Sequence, residues 1–342
     1  MNTDPLPNPD SETYLTQLLN LYKDSPNTEL VKGIILNILK LLENNTDRGD
    51  IKIIYNTLKD MGQALKTFAP YRHIRKVSIF GSARIPETDP EFEQAVKFAE
   101  KIREHGFMII TGAGNGIMKA AQKGAGREHS FGVNIRLPFE QQANEYIRGD
   151  PKLIHFKYFF TRKLFFIKET HAAVFFPGGF GTLDEAFESL TLVQTGKSMP
   201  LPLVFLDIPG GTYWSEWKTH IEQHMLKRGL ISPEDLHLFK VTDHVDEACE
   251  EILNFYKVYH SLRYVKNQLI IRLQKPIEPE LLDILNAEFK DILAQDRIQQ
   301  THAAHEGLDE GDLANLPRLV FYFNRKSFGR LRQMIDRINK GI

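Results

Sequence analysis

From Lys76 onward the chain alternates short, nearly continuous apolar runs with amphipathic stretches, and this alternation restricts its fold more than any other feature. The runs are Val77–Phe80, Phe107–Ile110, Phe131–Leu137, Ala172–Phe176 and Leu201–Leu206. Between and after them, Glu91–Glu104, Ile117–Gly124, Thr161–Glu169, Leu183–Gln194 and Tyr213–Leu226 repeat apolar residues at helical spacing. A strand apolar on both faces has to be covered on both, which a parallel sheet with crossover helices achieves. The predicted fold class is therefore α/β, with a doubly wound, Rossmann-like parallel sheet spanning residues 70–258. Sheets of this kind bind ligands beyond the carboxyl ends of their strands.

The flanks read differently. Residues 1–69 form an N-terminal helical extension, with Leu18, Leu19 and Tyr22, then Ile34, Ile35, Ile38 and Leu41, then Ile54, Leu58 and Met61 at helical spacing. Its first dozen residues are polar and proline-rich and are expected to be disordered. The apolar stripes are expected to pack on the main domain or on a partner subunit. Residues 259–342 form a small α+β appendage, with strands at Asn267–Leu273 and Arg318–Phe323. A helix follows each strand (Pro279–Leu293 and Ser327–Ile338), and a polar loop is expected over Gln299–Asn315.

Lys plus Arg (43) nearly balances Asp plus Glu (44), so no global field draws the chain to nucleic acid or an anionic membrane. No apolar run approaches the roughly 20 residues that cross a bilayer. The N-terminus has neither a basic nor an apolar signal region, and the single Cys249 cannot form an internal disulfide. A cytoplasmic protein is expected. Aromatics and basic residues interleave over His155–Lys163, a pattern that can stack RNA bases. The balanced charge argues against that reading, and the aromatics are expected to be buried in a strand and a helix face.

Three expected strand ends run straight into small residues: Gly81-Ser82-Ala83-Arg84, Gly112-Ala113-Gly114-Asn115-Gly116, and Gly178-Gly179-Phe180-Gly181-Thr182. Glycines at a strand-to-helix turn let backbone amides approach a ligand, and a helix N-terminus favours an anion. Three such turns at one sheet edge converge on one crevice. The Walker lysine signature and the full dinucleotide pattern are both missing, so a nucleoside monophosphate fits better than ATP or NAD. Thr182 and Glu185 have the spacing of a capping box, in which Glu185 would bond back to the Thr182 amide and be structural only.

Arg162-Lys163 followed by Pro177-Gly178-Gly179-Phe180-Gly181-Thr182-Leu183-Asp184-Glu185 resembles the Lonely Guy (LOG) family of nucleoside 5'-monophosphate phosphoribohydrolases, whose members often carry a lysine decarboxylase label. The 23 residues from Arg162 to Glu185 agree with the family spacing, as do Thr191, Gln194 and Gly196 with its Thr-x-x-Gln-x-Gly. The resemblance covers residues 76–207; extensions on both sides are like those of a longer bacterial subgroup. The second turn departs from the plant-type Gly-Gly-Gly-x-x-Gly-Leu-Met and is more similar to bacterial nucleotide nucleosidases, which leaves AMP and cytokinin riboside monophosphates both open as substrates.

The resemblance implies hydrolysis of the N-glycosidic bond to free base and ribose 5-phosphate, with Arg162 and Glu185 catalytic. The amides of Gly179, Gly181 and Thr182 and the Thr182 hydroxyl are expected to hold phosphate. Glu185 is expected to stabilise the ribosyl cation or orient water, with a nearby guanidinium keeping it ionised. Lys163, Asp184, Thr191, Gly81, Ser82, Gly112, Gly114, Asn115, Gly116, Gly178 and Glu140 complete the expected binding set; Arg84 and Asn144 are further candidates. No metal and no cofactor is expected, and a pyridoxal-phosphate decarboxylase site is not recognisable. The resemblance implies a homodimer or higher homo-oligomer. A binding protein without turnover, of the molybdenum-cofactor-carrier type, is the alternative.

Overall fold

The structure, a computed structural model, describes residues 9–136, 142–301 and 311–342. The described residues fall into two compact units divided between Gly62 and Gln63. The first unit is helical: α1 (Pro9–Asn20), α2 (Thr28–Glu43) and most of α3 (Arg48–Phe68). Leu15 and Leu19 of α1 bury against Leu36 of α2.

In the second unit the chain runs β1 (Lys76–Phe80), α4 (Pro90–Glu104), β2 (Met108–Thr111), α5 (Ile117–Ala125), β3 (Ser130–Ile135), β4 (Leu153–Phe156), α6 (Phe159–Lys168), β5 (Ala172–Phe175), α7 (Phe180–Gln194), β6 (Leu203–Leu206), α8 (Tyr213–His220), β7 (Phe239–Thr242) and α9 (Val245–Phe255). The seven strands form one sheet in the order β4-β3-β2-β1-β5-β6-β7, every pairing parallel. Helices cover both faces, as near-continuous apolar strands require. Val77, Ile79, Ile109 and Val174 pack on α4, α5 and α9 on one side. On the same sheet, Phe131 stacks on Phe68 with centroids 4.4 Å apart, and Phe80 on Phe175 at 5.2 Å. The order reverses between β1 and β5, so a crevice opens beyond their carboxyl ends.

The rest of the second unit is an antiparallel sheet, ordered β10-β11-β9-β8, from β8 (Tyr259–Val265), β9 (Gln268–Leu273), β10 (Leu293–Thr301) and β11 (Arg318–Phe323), with α10 (Pro279–Glu288) and α11 (Phe328–Lys340). Leu269, Ile271, Leu319 and Phe321 bury against Leu285, Leu331 and Ile335 of the two helices. Two strands here differ from the sequence reading. Each expected strand has a partner next to it in the chain, β8 and β10, and α10 stops at Glu288 to make room for β10. The polar stretch expected to be loop thus begins as strand through Thr301, and residues 302–310 lie outside the described residues.

This sheet shares an interior with the α/β layer. Asn339 of α11 accepts the Val258 and Tyr259 amides at 2.8 and 2.9 Å and donates to the Phe255 carbonyl at 2.6 Å. Phe328 fills the space beside Gly196, where a Cβ would lie 2.0 Å from its ring. Gln194 donates to Asp235 at 2.7 Å, in the 3-10 turn on which α11 packs. The last two residues of the Thr-x-x-Gln-x-Gly pattern therefore anchor the C-terminal helix against α7. Among the described residues, no helix is long and apolar enough to cross a membrane.

Candidate functional site

The three glycine turns are joined through one residue. Ser82, just past β1, donates its amide to the Pro177 carbonyl at the end of β5, and its own carbonyl accepts the Ile117 amide at the start of α5, both at 3.1 Å. Close approach is what several of the glycines provide. A Cβ on Gly116 (φ +60°) would lie 2.2 Å from the Ser82 carbonyl oxygen, and one on Gly178 would lie 2.2 Å from Thr182 Oγ1. Gly81 and Gly112 are likewise packed, against Ile117 and Met118. Gly179 and Gly181 are different: a Cβ there would meet nothing within 4 Å. These two face open space, the cavity itself.

The cavity measures about 770 Å³. It is lined by Gly81, Ser82, Gly112, Gly178, Gly179, Gly181, Thr182, Arg162 and Glu185 from the expected set, with Arg84 also at its wall. Phe80, Ala83, Met118, Phe166, Phe180 and Leu183 complete the lining. Phe180, at the rim, is 94% exposed.

Helix α7 begins at Phe180 with Gly179 as its N-cap, three residues before the start read from the sequence. That shift removes the capping box. The Thr182 amide bonds to the Gly179 carbonyl at 3.0 Å, and no side chain caps the helix. The Thr182 amide is thus not available to a phosphate, contrary to the expectation. The amides of Gly179, Phe180 and Gly181 have no acceptor among the described residues, which leaves them available at the helix N-terminus, a place that favours an anion.

Freed from capping, the Glu185 carboxylate turns to α6. Its Oε1 accepts Arg162 Nη2 at 3.4 Å and its Oε2 accepts Lys163 Nζ at 3.5 Å. Its side chain is 5% exposed. Burial pushes the carboxyl above its ordinary value of 4.5, with Lys163 and then Arg162 opposing. The guanidinium thus acts in the expected direction, but desolvation outweighs it. Arg162 Nε has no partner among the described residues, and the guanidinium lies over Phe159 and Phe166. A buried cation at the cavity wall with a long ion pair is suited to an incoming anion.

Lys163 does not line the cavity. Its ammonium donates to Glu188 at 2.6 Å and pairs with Asp184 at 2.8 Å. Burial lowers its proton affinity, yet these two carboxylates hold it above its ordinary range. Asp184 is committed to Lys163, not to the cavity. Thr191 is exposed on α7, and Gly114, Asn115 and Gly116 also lie off the cavity wall. Asn144 is buried and spent inside, donating to the Ala113 and Gly114 carbonyls and to Gln122. It therefore secures the second turn and reads no base. Glu140 lies outside the described residues. Of the aromatics in His155–Lys163, Phe156 is buried as expected, but Phe159 and Phe160 are exposed.

Tyr213 is the polar neighbour that the sequence reading missed. Its hydroxyl donates to the Gly178 carbonyl at 2.5 Å across 35 residues, and no local spacing signals it. Among the described residues, no group of His, Cys, Asp and Glu is arranged to hold a metal ion. Cys249 is buried, and burial raises its thiol pKa to about 12.

Residues 115–252 match the family model described as "Possible lysine decarboxylase". The match contains Arg162, Lys163 and the whole glycine loop, and its label is the one that the resemblance carries. No curated protein matches the chain. Among solved structures, the molybdenum cofactor binding protein of Rippkaea orientalis is similar at 16% identity, over 53% of this chain and 95% of that one, with a TM-score of 0.37. The molybdenum cofactor carrier protein of Chlamydomonas reinhardtii is similar at 20% identity, over 52% and 94%, with a TM-score of 0.35. DNA processing protein A of Helicobacter pylori is similar at 14%, over 52% and 80%, with a TM-score of 0.37. Likenesses at this level carry no function across.

Two alanine substitutions separate the two kinds of glycine. Gly116→Ala is expected to cost about 3 kcal/mol or more in denaturant unfolding, since left-handed strain adds to a backbone clash that cannot relax. Gly179→Ala is expected to stay within about 0.5 kcal/mol of the parent.

Proposed function

We propose that this protein hydrolyses the N-glycosidic bond of a nucleoside 5'-monophosphate, AMP or a cytokinin riboside monophosphate, releasing free base and ribose 5-phosphate. The observation that carries this reading is the pairing of Arg162 and Glu185 at 3.4 Å in the wall of a cavity whose other wall is a helix N-terminus with three unused amides. An anion held by the amides of Gly179, Phe180 and Gly181 leaves the attached ribose within reach of α6 and Glu185.

The roles follow from charge. Cleavage develops positive charge on the ribose, as in other glycoside hydrolysis. An ionised Glu185, held in a site of low polarity, stabilises that charge and accepts a proton from the attacking water. Arg162 holds the phosphate or a ribose oxygen through its guanidinium and keeps the Glu185 carboxylate aimed. The match of residues 115–252 to a family with this resemblance supports a nucleotide-directed hydrolase. No resident cofactor is invoked.

The test is a base-release screen of the purified protein over purine, pyrimidine and cytokinin monophosphates. Turnover of at least one is expected. Glu185→Gln and Arg162→Ala are each expected to lower kcat at least about a hundredfold with the fold retained by circular dichroism. Binding of monophosphates without release of any base would leave a carrier in place of an enzyme.

Ionised Glu185 also sets a pH dependence. Its carboxyl lies above 4.5, so activity falls as pH drops through that raised value. The acid limb of kcat/KM is expected above the ordinary carboxylate range. Lys163→Met, which removes the largest charge opposing the shift, is expected to move that limb to still higher pH.

A second copy of the chain is proposed as the cover for the exposed Phe159, Phe160 and Leu164 of α6 and Phe180 and Phe187 of α7. Apolar side chains exposed together on a surface are characteristic of an interface. Sedimentation is expected to give a dimer or a larger assembly, and Phe160→Glu to shift it toward monomer.

A further inference from the structure

We propose that Tyr213 is a positioning residue for phosphate binding, its hydroxyl holding the Gly178–Gly179 peptide so that the Gly179 amide is presented to the substrate phosphate. This rests on the phosphate-loop reading above. The contact is short, 2.5 Å from the tyrosine oxygen to the Gly178 carbonyl. In a planar trans peptide the carbonyl and the following N–H point in opposite directions. Among the described residues there is no cis bond. Drawing the Gly178 carbonyl toward α8 therefore turns the Gly179 N–H away from α8, to the side where Gly179 lines the cavity.

Tyr213 is itself firmly mounted. Asp207, just past β6, accepts the Ile208 amide at 3.0 Å and the Trp214 amide at 3.2 Å. The turn closes so tightly that a Cβ on Gly211 would lie 2.3 Å from Asp207 Oδ1. Trp214 is fully buried, and the Tyr213 ring meets it edge-on at 4.7 Å. Tyr213 is 37% exposed, so filling the core does not account for it. Its hydroxyl reaches from this fixed base to the one carbonyl whose peptide partner is the first free amide of the loop. Gly178 itself is closely packed, since a Cβ there would lie 2.2 Å from Thr182 Oγ1 and 3.0 Å from the Ser82 amide nitrogen.

The test compares Tyr213→Phe with the parent in the full chain. The ring and its contact with Trp214 are kept, and only the hydroxyl is lost. Calorimetric titration with ribose 5-phosphate reads phosphate binding apart from catalysis, and base release gives KM and kcat. The expected result is a rise of about 3- to 10-fold in both Kd for ribose 5-phosphate and KM, the size of one lost neutral hydrogen bond. With chemistry untouched, kcat is expected to stay within about twofold and the melting temperature near the parent's. Glu185 rides on the same helix, so general loosening would instead lower kcat and melting temperature together with affinity. That pattern, or an unchanged Kd where the parent binds ribose 5-phosphate, overturns the role of Tyr213. A parent that binds neither ribose 5-phosphate nor any monophosphate overturns the phosphate loop, and the role of Tyr213 with it.

Discussion

The site depends on the backbone of one residue, Ser82. Its amide and carbonyl bond in opposite directions, to Pro177 at the end of β5 and to Ile117 at the start of α5, and so set the spacing of three turns that arise from three separate strands. No side chain is involved in either bond. The demands fall on the neighbours, which must be small enough to let the strands' ends come together: Gly116 against the Ser82 carbonyl, Gly178 against Thr182. Much of the glycine content of the site therefore serves packing, and only Gly179 and Gly181 leave space to a ligand. The same reasoning explains why the crevice sits between β1 and β5, where the winding of the sheet reverses.

On that frame the chemistry is a balance of burial against charge. Glu185 is nearly inaccessible, and its desolvation works against ionisation. Two cations on α6 oppose this, but unequally placed. Lys163 is saturated by Asp184 and Glu188 and acts on Glu185 from behind, whereas Arg162 is undersupplied and faces the cavity. Of two adjacent basic residues, one organises carboxylates and the other lines the cavity.

Much of the α/β layer was legible because central parallel strands are apolar on both faces, and a run such as Ala172–Phe175 has few other uses. The strands that escaped notice are at edges. Leu153–Phe156 buries only alternate residues, and Leu293–Thr301 is mostly exposed, so neither carries an apolar run. In the site, the pairing of Arg162 with Glu185 was implied by the family resemblance, whose spacing the two residues match. Helix α7 was misread by three residues, because Gly179 and Gly181 looked like loop, and that error alone produced the capping box. Asn144 misled for another reason: a polar side chain in a loop beside a site can be consumed by the loop's own carbonyls. Tyr213 had no signal, since its partner is a backbone atom of a distant segment.

The clasp of Phe328 on Gly196 and the three hydrogen bonds of Asn339 have a consequence for how the chain can be divided. Motif boundaries suggest an autonomous nucleotide-binding module ending after α9, with the antiparallel sheet as an accessory. The interior does not respect that line. Cutting after Phe255 would uncover apolar surface on α9, leave the Phe255 carbonyl without its Asn339 donor, and release the far end of the helix that carries Glu185. The C-terminal part of the chain is in this sense the back wall of α7. Any shorter relative that dispenses with it must hold that helix in place by other contacts.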